Sequence, residues 1–195
     1  MADKVATDFL SKVKAKGKQA MSWFRDIVKK TRAAAFPAST GRAELMGERN
    51  TGVVSSVTVG RLYLFQYDAK WKDILPYWDV WPLIFPFAGA KNGFYGVNLH
   101  YLPPNARIDL MLRLIKAQGA SGNLTDNYKL KLSYDIITSY PPAKPCIKRY
   151  LYSHIQGKGF YGIKGEDWSY AASLPLQKFR GASENTVWGD SKAMY

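Results

Sequence analysis

The sequence predicts an α+β protein with a small β-barrel-like or twisted antiparallel sheet core, surrounding helices and a basic helical N-terminal arm. Three observations predict this. Bulky residues alternate through Arg61–Tyr67, the pattern of a strand with one buried face. Pro76, Pro82 and Pro86 keep helix out of the middle of the chain. Apolar residues recur at helical spacing on either side of that middle, as Val5, Phe9 and Val13 near the start and as Ile108, Met111, Leu112 and Ile115 further on.

Taken in order, residues 1 to 33 read as helix. Ala20, Phe24 and Val28 form a second four-residue series, and Gly17 between the two sets predicts a break or kink. The opposite face is basic, with Lys12, Lys14, Lys16 and Lys18, then Arg25, Lys29, Lys30 and Arg32. Phe36–Gly52 reads as a linker. Pro37 ends any helix before it, and the segment has little to bury, so mobility is expected there unless a neighbouring chain orders it.

The sheet core is expected from about residue 53 to 103. Leu83–Phe87 is an apolar run interrupted by Pro86, which suits a strand end or an edge strand. Phe94–His100 is a third strand, opened by the turn pair Asn92-Gly93. Asp68–Asp79 is a turn-rich connection. Pro103-Pro104 sets up a helix over Asn105–Lys116, closed by Gly119–Gly122. Leu124–Tyr140 fits both periods; Thr125 or Asp126 as a cap favours helix. Cys146–Ile155 is a basic aromatic strand or short helix, and Gly157–Gly165 a glycine-rich loop. Glu166–Ser173 and Ser183–Ser191 read as short helices.

A length of 195 residues accommodates one domain with appendages. The division is an arm and linker over residues 1–50 and an aromatic-rich core domain over 51–195. The 28 Lys and Arg exceed the 15 Asp and Glu by 13, so the chain is drawn to polyanions. The first 50 residues hold 11 basic and 5 acidic side chains, nearly half of the excess. A single cysteine excludes an internal disulfide. No apolar run approaches the roughly 20 residues of a membrane span. The amphipathic, lysine-rich start lacks the apolar stretch of a signal peptide, so a cytoplasmic protein, or one built into a particle assembled there, is expected.

No catalytic set is expected. Cys146 with His154 and an aspartate could form a thiol nucleophile, but the spacing fits no known signature and a lone Cys is commonly a small buried apolar residue. Asp68, Asp73 and Asp79 could bind Mg²⁺, yet Lys70 and Lys72 would compete for them. His100, with one other His and no Cys pair, reads as structural. No metal, cofactor, membrane or small-molecule substrate is expected.

The candidate polyanion-binding residues are the eight arm cations and Lys144, Lys148 and Arg149, which stand beside Tyr150 and Tyr152. The same cations could simply solvate a helix or face an acidic partner chain. Candidate interface aromatics are Trp71, Trp78, Trp81, Phe160 and Tyr161; each could equally fill the core. Phe94 is expected in the core.

The run LYLFQYDAKWKDILPYWDVWPLIFPF, then GFYGVNLHYLPPNARIDLML, and later KLSYDI and KPCIKRYLYSHI, resembles a family of virion proteins from T-even-type contractile-tailed phages. The matching positions include Tyr67–Lys70, Leu75–Asp79, Pro82–Phe87, Gly93–Pro104 and Arg107, and the likeness covers about residues 57 to 191. The leader SWFRDIVKK is similar, less specifically. The resemblance implies a non-enzymatic virion protein that binds and protects the ends of packaged double-stranded DNA. A baseplate or tail-hub component contacting other virion proteins is the alternative. It carries over no catalytic residue.

Overall fold

In a computed structural model, residues 38–47, 50–119 and 133–195 are described. Helix α1 spans Ala38–Met46. Strands β1 (Asn50–Val54), β2 (Leu62–Tyr67), β3 (Trp78–Asp79), β4 (Leu83–Ala90) and β5 (Gly93–Asn98) follow. A 3₁₀ turn, Leu99–Tyr101, leads into helix α2 (Pro104–Gly119), and residues 133–138 are helical. A 3₁₀ turn at Pro141–Cys146 precedes β6 (Ile147–Leu151), and another at Tyr152–His154 precedes β7 (Ile155–Ile163). Helix α3 (Trp168–Ser173), strand β8 (Phe179–Arg180) and helix α4 (Glu184–Ala193) complete the chain.

Six strands form one antiparallel sheet in the order β1-β7-β2-β4-β5-β6, and β3 pairs with β8 separately. The sheet is open, which corrects the barrel-like expectation. Among the described residues β1 and β6 each have one neighbour, and Val53 and Val54 on β1 are exposed. The basic arm, with Lys12 to Arg32, and the 120–132 half of the Leu124–Tyr140 segment lie outside the described residues.

Strand β7 departs furthest from the local sequence pattern. Gly157–Gly165, a loop by its glycines, lies mostly within the strand inserted between β1 and β2. The sheet is therefore not confined to residues 53–103. Between the pairs Gln66↔Gln156 and Leu64↔Tyr161, β7 has four residues where β2 has one, a multi-residue bulge. Gly159 sits in that bulge at φ 112°, where a Cβ would stand 2.7 Å from the Val54 carbonyl of β1. The glycines let strands approach; they do not loosen the segment.

Strand β4 is central, not an edge. It tolerates Pro86 because its ladder with β2 ends at Leu83 and Ile84, so the missing N–H falls beyond that pairing. The ladder with β5 then bulges between Pro86 and Ala88. Strand β2 is buried on both faces rather than one. Tyr63, Phe65 and Tyr67 enter an aromatic cluster with Phe94, Tyr150 and Phe160, while Leu62 and Leu64 are fully buried in the alternate positions. Phe65 is the hub of that cluster, meeting four other rings edge-on at 4.9–6.2 Å. Each such pair adds about 1 kcal/mol beyond the area it buries. On strand β4, Ile84 joins the cluster, and Phe85 packs edge-on against Trp168 of α3.

Helix α2 buries Ile108, Met111 and Leu114, with Leu110 and Ala117 beside them. Leu112 and Ile115, expected on that face, are only half-buried. Helix α1 lies within the stretch read as a linker. Leu45 is 1% exposed, and Arg42 donates from Nη1 to the Leu176 carbonyl at 2.8 Å while its guanidinium covers Trp81. These contacts hold α1 against its own chain.

Candidate nucleic-acid interface

A cleft of about 770 Å³ opens between the 69–78 turn region and the β5–β6 end of the sheet. Its first wall is the turn after β2. Asp68 N donates to the His154 carbonyl at 3.1 Å, and the His154 ring Nδ1 lies 2.9 Å from the Asp68 carbonyl. These two bonds clamp the turn to the start of β7. Lys72 then bridges back to Asp68 at 2.9 Å, and the amides of Ile74 and Leu75 both donate to the Trp71 carbonyl. The turn so formed presents Trp71, Ile74 and Leu75 to solvent at 58%, 77% and 41% exposure. The ammonium of Lys70 lies 4.8 Å from the Trp71 ring centre.

The opposite wall is the β5–β6 end. Asn92 takes φ 59°, as the Asn-Gly turn requires, and its carbonyl accepts from Tyr152 N at 3.0 Å. Arg149, on the exposed side of β6, donates to the Lys91 carbonyl at 3.0 Å, which holds two cations at one rim. The floor contains Tyr101 and Tyr150. Lys148 is half-buried there with its Nζ 4.5 Å from the Tyr101 ring centre, and burial lowers its pKa. Among the described residues no carboxylate forms an ion pair with it. Four cations, Lys70, Lys91, Lys148 and Arg149, therefore line one concave surface with several aromatic rings.

The carboxylate of this lining, Asp79, is fully engaged below the floor. Its Oδ1 accepts from the backbone amides of Trp81 and Lys178, at 3.0 and 3.1 Å. Its Oδ2 accepts from Asn98 at 3.2 Å and from the His100 ring at 2.6 Å. Burial alone would raise the carboxyl; His100 and these hydrogen bonds outweigh it and hold Asp79 below its ordinary range. Burial holds His100 below its ordinary value against the pull of Asp79, whose carboxylate its Nδ1 faces. Arg107 is buried next to this group, donating to the His100 and Leu102 carbonyls at 3.3 Å each, and burial lowers it to about 10. Trp188 of α4 also donates to the His100 carbonyl, at 2.9 Å. Asn98 also donates to the Tyr150 hydroxyl at 3.1 Å, which ties the floor of the cleft to this network.

The structure thus brings Lys148, Arg149, Trp71 and Trp78 to one cleft. It leaves the other candidates elsewhere. Lys144 is exposed in the Pro141–Cys146 turn, and Trp81 is half-buried under Arg42. Phe160, expected at an interface, is 1% exposed within the aromatic cluster, and Tyr161 beside it is half-buried on β7. Phe94 lies in the core as expected. Tyr150 is buried, and Tyr152 leans on Phe94 and Phe160, so neither is a free stacking platform. The sequence pattern does not single out Lys70 and Lys91 as binding residues. Their signal was position: Lys70 precedes an exposed Trp in a turn, and Lys91 precedes Asn-Gly.

Cys146, Asp68 and Asp79 are engaged within the fold. Cys146 donates to the Pro142 carbonyl, and burial pushes its thiol up to about 12, opposite to what a nucleophile needs. Asp68 is held by Lys72 and Asp79 by His100, and no group of three metal-ligating side chains forms among the described residues. Nor, among those residues, is any helix long and apolar enough to cross a membrane.

No curated protein and no solved structure matches the chain. The model of the phage T4 terminal DNA protecting protein family matches residues 3–191, which is nearly the whole length. With that extent of match, the chain belongs to the phage T4 terminal DNA protecting protein family.

Proposed function

We propose that this protein is a non-enzymatic component of a tailed-phage virion that binds the ends of packaged double-stranded DNA and shields them. Within the described residues, the observation that carries this reading is the cleft with four cations, whose one carboxylate is already saturated by protein donors. Such a surface attracts phosphate without naming a sequence, as an end-binding protein requires. The lysines and arginines of the arm within residues 1–50, from Lys12 to Arg32, supply further positive charge for phosphate. The partners are DNA ends and neighbouring virion proteins, and the protein resides in the particle assembled in the host cytoplasm.

The test is binding of the purified chain to blunt linear and closed circular DNA across a salt series, with an exonuclease challenge on the linear form. Tight, salt-sensitive binding that prefers ends and blocks digestion is expected. Equal weak binding to both forms would overturn the reading and favour a baseplate or tail-hub protein, in which Trp71, Ile74 and Leu75 contact another chain. Reversing the charge at Lys12, Lys14, Lys29 and Lys30 together should sharply weaken DNA retention without changing the circular dichroism spectrum.

A further inference from the structure

The end-binding reading leaves open the form in which the terminus is held. The geometry points to the Lys70–Leu75 turn as a wedge that opens the terminal base pair, with the cleft beside it receiving one unpaired strand end. In this arrangement Trp71 stacks on a base, and Lys91, Lys148 and Arg149 hold its phosphates. The inference rests on the end-binding function proposed above and specifies the ligand of the same site.

Three observations carry it. First, Trp71, Ile74 and Leu75 stand exposed on a turn stiffened by its own hydrogen bonds and by the Lys72–Asp68 bridge. Apolar side chains presented this way among lysines are what proteins insert between base steps to unstack them. Second, the cleft has the volume of a small-ligand site, within the usual range of about 300–1,000 Å³. That volume is enough for a splayed nucleotide. Third, Lys148 lies on the floor, half-buried over Tyr101 and, among the described residues, without a carboxylate to pair with. A phosphate on a strand that enters the cleft supplies that anion; the backbone of an intact duplex at the rim does not. Asp68, the nearest carboxylate on the turn, is already neutralised by Lys72, and Asp73 does not line the cleft.

The full-length chain should be titrated with linear duplexes carrying 2-aminopurine at the terminal or at an internal base pair. Duplexes with blunt, terminally mismatched or short-tailed ends should be compared for affinity. The fluorescence of the terminal probe should rise on binding while the internal probe stays quenched. Mismatched or tailed ends should bind about 10-fold tighter than blunt ends, because the protein no longer supplies the unpairing energy. Trp71→Ala should remove the probe signal and weaken binding to tailed ends by about 5- to 100-fold, the range of one base–aromatic stack, with no change in thermal midpoint, since Trp71 is exposed. Lys148→Gln should lower the salt slope for tailed ends by about 1 and leave that for circular DNA unchanged. If exonuclease protection holds while both probes stay dark and all ends bind equally, the terminus is held as closed duplex and the wedge is overturned. If the wild-type chain protects no ends at all, the functional proposal itself falls.

Discussion

Asp79 is the residue on which the floor of the cleft depends. Its two oxygens accept four hydrogen bonds, from two backbone amides, Asn98 and His100. Asp79→Asn removes the charge that those donors satisfy and turns part of the acceptor into a donor. A loss of about 3 kcal/mol is expected, read as a lower urea midpoint; an unchanged midpoint would show that the network contributes nothing net. The same group predicts a pH dependence. Asp79 and His100 both sit below their ordinary values of 3.8 and 6.5. The unfolded chain therefore binds protons that the folded chain refuses, and stability rises with pH wherever this holds. The His100 contribution is complete above pH 6.5 and is lost as pH falls below it; the Asp79 contribution is complete above 3.8 and is lost as pH falls through its folded value. Urea melts at a series of pH values should show the first decline near 6.5, and His100→Gln should flatten that portion. The sequence offers His100 as structural but does not name its partner, because Asp79 lies 21 residues away, on β3 of the separate β3–β8 pair.

Strand β7 is where local pattern and fold part company. Three glycines in a few residues look like a loop to any reading that has only neighbours to consult. In the sheet, Gly159 lies so close to the Val54 carbonyl that any side chain would displace β1. Gly159→Ala should therefore cost about 1–3 kcal/mol through its positive φ and this close approach. A thermal melt checks it, and an unchanged melting temperature would show that β1 shifts freely. Strand β4 gives the same lesson in reverse: Pro86 looks incompatible with a central strand until the β2 ladder is seen to end two residues earlier. By contrast, α2, α3, α4 and the Asn92-Gly93 turn were legible in advance, because helical period, capping and turn chemistry are short-range. Ser183 caps α4 as its side chain predicts, accepting from Thr186 N at 3.2 Å.

At the scale of the molecule, charge and topology combine. Lys91 precedes β5 and Arg149 lies on β6, yet they meet through one hydrogen bond at the rim of the cleft. Because they act together on phosphate, Lys91→Gln with Arg149→Gln should reduce the salt slope of DNA binding by about 2, with little change in stability. A slope that does not move would place the phosphate contacts on the arm alone. By itself, the sequence determined the α+β class, the strong basic excess, the motif run over residues 57 to 191 and most local elements. Composition and short-range pattern suffice for those. Only the tertiary structure decided that the sheet is open, that β7 inserts between β1 and β2, that Phe160 is core, and that Lys70, Lys91, Lys148 and Arg149 share one cleft. Each of these depends on strands far apart in the chain becoming neighbours. Pairing order is set by the joint burial of both sheet faces, and no window of neighbouring residues contains it.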